Sequence, residues 1–104
     1  MYVRSSVSAL RFEWDLAKAA ANLRKHGVSF EEAQTVFWDD FALFEDDPDH
    51  SEAEQRYLLL GLSSTPRLLL VVHCYEKDED TITVISARKA TPGERARYSK
   101  RWRP

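Results

Sequence analysis

RYLLLGLSSTPRLLLVVHCYEKDEDTITVISARK, residues 56–89, is the stretch that decides the fold. It holds three apolar runs, 56–62, 67–75 and 81–89, each the length of a strand and rich in Leu, Val, Ile or Tyr. The breaks between them, Ser63-Ser64-Thr65-Pro66 and Glu76-Lys77-Asp78-Glu79-Asp80, are short and polar, as hairpins require, so the runs are predicted to form an antiparallel meander. Both faces of the first two runs carry apolar side chains. The sheet is therefore expected to be covered on each side, and helices must supply the cover.

Working outward, residues 10–14 alternate Leu, Phe and Trp with Arg and Glu, the period of a half-buried strand. Asp15 reads as the N-cap of a helix that Gly27 closes. Within it Leu16, Ala19, Ala20 and Leu23 recur at helical spacing, with Lys18, Asn22 and Lys25 on the opposite side, so the leucine stripe is the predicted buried face. Ser29 and Glu32 form a capping box and Val28 is placed to staple onto Ala33, which predicts a second helix over 30–37 with Phe30, Ala33, Val36 and Phe37 inward. Residues 38–50 contain Pro48 and six acidic side chains, giving a short strand around 42–45 and then an acidic loop. Downstream, Thr91, Pro92 and Glu94 combine a capping box with proline at the first helical position. The last helix offers only Ala96, Tyr98 and Trp102 to a core and shows Arg95, Arg97, Lys100, Arg101 and Arg103 to its surroundings.

At 104 residues and 43% hydrophobic, the chain has the size of one α+β domain over residues 1–104, with residues 1–9 expected to fray. Cys74 is the only cysteine, which excludes an intrachain disulfide and a thiol-based zinc site and points to the reducing cytoplasm. No apolar run approaches the roughly 18–20 residues that span a bilayer, and no membrane association is expected. The net charge of −2 conceals a segregation. Residues 1–30 carry five Lys/Arg against two Asp/Glu, residues 31–54 none against ten, and residues 81–104 seven against one. Such runs are either solvated surface or a face built to meet a polyanion.

The three histidines, His26, His50 and His73, show no metal-ligand spacing, and the glycines at 27, 61 and 93 fit no phosphate-binding fingerprint, so no metal and no cofactor are implied. What remains is metal-free chemistry on a phosphodiester, in which a ribose 2′-OH attacks its own phosphorus. Such a site needs a base, an acid and cations. Strict alternation along 81–89 puts Ser86 and Arg88 on the side of Ile82 and Val84, with Lys89 opposite. Arg88 at the end of that face either binds a phosphate through its fork or pairs with an acidic neighbour. His73 is either a hydrogen-bonded core residue or a catalyst. Lys25 and His26 either complement a helix dipole or touch a polyanion. Glu94 is already used by its capping box, so a general-base role for it needs a further reason, and Tyr98 either packs its helix on the sheet or serves the site.

Two ordered blocks resemble the BrnT toxins. The first is Phe12-Glu13-Trp14-Asp15, Lys18, Asn22, Lys25-His26-Gly27-Val28, Phe30-Glu31-Glu32-Ala33 and Val36-Phe37. The second is Asp49-His50-Ser51, Glu54, Arg56-Tyr57, Gly61, His73 and Ile85-Ser86-Ala87-Arg88-Lys89-Ala90, then Glu94, Arg95 and Tyr98. The resemblance implies a RelE-like fold: two N-terminal helices, an antiparallel sheet of about four strands and a C-terminal helix. It implies a ribonuclease toxin of a type II toxin–antitoxin system that cleaves RNA and arrests growth. Its partners would be RNA and a BrnA-like antitoxin, with DNA met only through the antitoxin. Carried onto this chain, Arg56 and Arg88 would hold the phosphate and His73 or Tyr98 would move the proton, with Lys25, His26, Lys89 and Arg95 as further RNA contacts. The competing class is a non-catalytic binding module that acts in a repressor complex.

Overall fold

The computed structural model describes residues 1–7, 10–48, 55–78 and 80–101. The expected roles of Asp49, His50, Ser51, Glu54, Trp102 and Arg103 fall outside them. The elements are β1 (Tyr2–Val7), β2 (Leu10–Asp15), α1 (Leu16–His26), α2 (Phe30–Gln34), β3 (Leu43–Asp46), β4 (Tyr57–Leu62), β5 (Leu68–Tyr75), β6 (Thr81–Lys89) and α3 (Pro92–Arg101). Six strands form one sheet in the order β1-β2-β6-β5-β4-β3. The predicted meander β4-β5-β6 is present and antiparallel.

One expectation about the sheet is corrected. It is mixed rather than antiparallel, because β2 runs parallel to β6, with Phe12 opposite Ile82. Alternation gives a strand its faces but not its direction, and α1 with the segment that follows carries the chain back over the sheet. Tyr2–Val7 pairs antiparallel with β2 along its whole length, and Val3 packs against the core. Its serines disguised a strand held by backbone hydrogen bonds.

α1, α2 and a 3-10 turn (Thr35–Trp38) cover one face of the sheet; α3 covers part of the other. Phe12, Trp14, Phe30, Val36, Leu69, Val71, Ile82 and Val84 form the core under the first layer. Leu60, Leu68, Leu70 and Tyr98 form a smaller core under α3. The second helix is shorter than predicted. Ser29 Oγ accepts from the Glu32 N–H at 3.0 Å, but the Glu32 carboxylate turns away to Arg67, Ser63 and Thr65, tying α2 to the β4–β5 turn.

α1 is capped as expected: Asp15 accepts from the Ala17 N–H, and Gly27, at φ 69°, takes the left-handed conformation that closes the helix. Its orientation is not the predicted one. Leu16 and Leu23 are 49% and 51% exposed, Ala19 alone of the predicted stripe packs on the core, and the buried residue of the helix is Asn22. The β2–β6 ladder covers Arg11–Glu13 and Thr81–Thr83, so among the described residues β6 beyond Thr83 has no neighbouring strand on that side. Asn22 takes the place of one. Its Oδ1 accepts from the Ala87 N–H at 3.1 Å, and its Nδ2 donates to the carbonyls of Ala87 and Val28 at 2.9 and 3.0 Å. Buried backbone groups must be paired, and this requirement outweighs the hydrophobic stripe.

β6 carries an irregularity that sets the faces of its last residues. Val72 pairs with Ser86 but His73 with Val84, which leaves Ile85 as an extra residue in a β-bulge. Alternation resumes out of phase. Ala87 joins Ile82 and Val84 in the core under α1, while Arg88 stands opposite Leu70 on the α3 side. The expectation that Arg88 shares the face of Ile82 and Val84 is thus corrected.

Gly61 shows how closely the layers meet. A Cβ there would lie 2.9 Å from Ala42 Cβ and 3.0 Å from both Asp39 Oδ2 and Val36 Cγ1. Gly61→Ala is expected to cost about 2 kcal/mol through overpacking, read as a lowered urea midpoint. An unchanged midpoint would show that the segment steps aside freely.

Candidate nucleic-acid interface

The sequence candidates divide between the two faces of the sheet. Arg88, Arg95 and Tyr98 lie on the α3 side, as does Arg56 by alternation from Tyr57, which stands opposite His73. Lys89 pairs with Leu69 and leaves the sheet on the other side, where Lys25 and His26 end α1. His73 is fully buried on that same side.

α3 begins with the predicted capping box, complete in both directions: the Glu94 N–H donates to Thr91 Oγ1 at 3.2 Å and the Thr91 N–H to Glu94 Oε1 at 2.8 Å. The same carboxylate receives a two-pronged bond from Arg88, Nη1 to Oε1 at 2.8 Å and Nη2 to Oε2 at 3.0 Å. Arg88 Nη1 also donates to the Lys89 carbonyl at 3.2 Å. Arg88 above all, with the Thr91 backbone, holds Glu94 down at a pKa of about 2. Glu94 in turn raises Arg88, so the guanidinium is a fixed positive charge.

Three further contacts lash α3 to the segment before β4. The Tyr98 hydroxyl donates to Asp39 Oδ2 at 2.6 Å, and the same oxygen accepts from the Leu62 N–H at 2.8 Å. Arg97 pairs with Glu45 at 2.9 Å, and Arg101 Nε donates to the Phe41 carbonyl at 3.1 Å. Arg95 and Lys100 stay exposed on the outer side of α3. Tyr98 is thus a buried anchor whose hydroxyl is engaged. Sequence reasoning missed Asp39 as its partner, and Arg67 as the partner of Glu32, because neither pair leaves a local pattern.

The two arginines do not converge on one point. Arg56 abuts β4 opposite the position of Cys74, and Arg88 lies across β5 opposite Leu70, so strand geometry separates their backbones by about 16 Å. Val72 and Ser86 lie between them. The two guanidinium groups are thus set too far apart to grip one phosphate together. A cleft of about 570 Å³ lies elsewhere, between the 3-10 turn and the β4–β5 turn, and is lined by Gln34, Trp38, Leu62 and Ser64 among others. None of the sequence candidates lines it. Among the described residues no three His, Cys, Asp or Glu side chains gather to hold a metal ion, and no helix is long and apolar enough to cross a membrane.

Residues 14–94, from β2 through the first turn of α3, match the family model described as the ribonuclease toxin BrnT of type II toxin–antitoxin systems. The chain belongs to the BrnT family. The matched span of this BrnT chain includes the Arg88–Glu94 pair and the bulge that orients it, and leaves out β1 and Tyr98. Among solved structures, the BrnT ribonuclease toxin of Brucella abortus is similar, with 22% identity and a TM-score of 0.55 over 75% of this chain and 92% of that one. That likeness speaks for the fold. No curated protein matches significantly.

Proposed function

We propose that this BrnT-family chain is a ribonuclease toxin with a RelE-like fold that cleaves RNA without a metal ion and arrests growth in the cytoplasm. A BrnA-like antitoxin would neutralise it and provide its only route to DNA. The observation that carries this proposal is the state of Arg88. Its bonds to Glu94 and Lys89 use both Nη1 hydrogens and one on Nη2, leaving Nε–H and the second Nη2–H on one edge of the fork. That edge matches two oxygens of a phosphate, on a side chain already immobilised by its carboxylate partner. Such a donor stabilises the charge that builds on the nonbridging oxygens when the 2′-OH attacks.

In this scheme Arg88 holds the reacting phosphate, Arg56 takes the backbone further along, and Arg95 meets the strand from α3. His73 is assigned to the core because burial removes it from any substrate. Tyr98 is assigned to anchoring α3, and Lys25, His26 and Lys89 fall outside the cleavage face.

A non-catalytic module that acts within a repressor complex is the second reading, and the Arg88–Glu94 pair also favours it, since such a pair can serve structure alone. Incubation of purified protein with RNA in EDTA separates the two. Cleavage is the expected result; RNA left intact at high protein excess favours the module. Arg88→Ala is expected to slow cleavage by about 2 kcal/mol, roughly 30-fold, with the circular dichroism spectrum retained. Undiminished cleavage would remove Arg88 from the site.

A further inference from the structure

On the helix side of the sheet, beyond the cover of the 3-10 turn, the rings of Phe44, Tyr57 and Tyr75 form a continuous aromatic surface. Phe44 stacks on Tyr57 at 5.1 Å, and Tyr75 meets Tyr57 edge-on at 5.4 Å. Phe44 is 53% and Tyr75 37% exposed. His73 lies against all three rings, fully buried, and its Nε2 has no hydrogen-bond partner among the described residues. A polar side chain under a solvent-facing aromatic surface is unusual in a finished core.

The charge around this surface selects what can cover it. Asp46 stands opposite Tyr57 in the β3–β4 ladder, so its exposed carboxylate shares the face of Phe44 and Tyr57. It belongs to the block 31–54, which has ten acidic residues and no Lys or Arg. Aromatic faces beside a carboxylate attract a guanidinium, by cation–π contact and ion pairing together, and repel phosphate. β3 is also the outer strand of the sheet, so its far edge has no strand neighbour among the described residues. An extended chain added along that edge would set every second side chain on the face of Phe44 and Asp46.

We infer that Phe44, Tyr57, Tyr75 and Asp46, at the free edge of β3, form a docking site for an extended, arginine-bearing segment of a partner protein. The site lies on the opposite side of the sheet from Arg88 and does not depend on the RNA reading. The test titrates the full chain with a fluorescent twelve-residue peptide alternating Arg and Leu, beside its Glu/Leu counterpart and a labelled twelve-nucleotide RNA. The arginine peptide should bind and the glutamate peptide should not. Phe44→Ala and Asp46→Asn should each weaken the arginine peptide about tenfold or more, while Arg88→Ala leaves it unchanged. Absence of binding, or equal binding to Phe44→Ala and Asp46→Asn, overturns the site. Loss of RNA affinity in Phe44→Ala would assign the surface to RNA instead, and a dimer abolished by Phe44→Ala would assign it to a second copy. RNA cleavage by Phe44→Ala, measured in parallel, should match the parent, so failure here is distinguishable from failure of the ribonuclease assignment.

Discussion

Asn22→Ala should lower the stability of the fold by about 3 kcal/mol, the largest loss expected from any single side chain described above. One side-chain amide satisfies both backbone groups of Ala87 and the carbonyl of Val28. Alanine removes little apolar area but leaves an N–H and two carbonyls buried without partners, each costing about 1–3 kcal/mol where water cannot reach it. Asn22→Asp is the informative companion. It keeps an acceptor for the Ala87 N–H but loses both donors and buries a charge, so it should be no more stable than the alanine variant. The measurement is urea unfolding followed by circular dichroism. A midpoint within error of the parent would show that water replaces the amide and that the strand-like role given to Asn22 is wrong. Increased hydrogen exchange at Ala87, before global unfolding, is the expected local signature.

Lowering the pH from about 6.5 to about 4 should remove roughly 3 kcal/mol of stability through His73 alone. Burial drives its pKa down from 6.5 to about 4, only partly opposed by the Val71 carbonyl, 3.4 Å from Nδ1. The unfolded chain therefore takes up a proton that the folded chain refuses. Stability is fully present above 6.5 and falls as pH drops toward 4. Below about 4.5 a second loss begins, because Glu32 and Glu94 are held at about 2, chiefly by their bonds to Arg67 and Arg88, and those pairs weaken as the carboxylates protonate. His73→Phe separates the two windows. Phenylalanine fits a site already walled by Phe37, Phe44, Tyr57 and Tyr75 and cannot titrate. The variant should hold its stability from pH 6.5 to 4.5 and then decline with the parent. A parent whose unfolding midpoint is flat across that upper window would contradict the burial of a neutral imidazole.

The parts of the fold that follow from local pattern were legible in the sequence. The β4–β5–β6 meander announced itself by run length and polar breaks, and the caps at Asp15, Ser29 and Thr91 each start a helix where expected. What was not legible depends on partners distant in sequence. The leucine stripe of α1 pointed inward on periodicity alone, yet Asn22 had an obligation to Ala87, 65 residues away, that no periodicity records. Arg88 was identified as a candidate but placed on the wrong face, because one extra residue at Ile85 shifts the alternation after it. The candidate site shared this limit. The basic character of α3 could be read directly, whereas the engagement of Tyr98 by Asp39 needed the tertiary structure.

The position of β6 between β2 and β5 carries a consequence for synthesis. Phe12 meets Ile82 70 residues later, so β1 and β2 find their neighbour only after β3, β4 and β5 have been made. Until then the nascent chain holds the two wings of a sheet without the strand that joins them, and the aromatic side chains of β2 have only Phe30, Phe37 and Trp38 to pack against. Long-range pairing of this kind is slow and exposes apolar surface while it waits. Arg88 lies on that same late strand and Glu94 just beyond it. A chain cut short before β6 lacks both the keystone of the sheet and the fork proposed to do the chemistry. A copy halted before β6 therefore carries neither the completed sheet nor the phosphate contact proposed for Arg88.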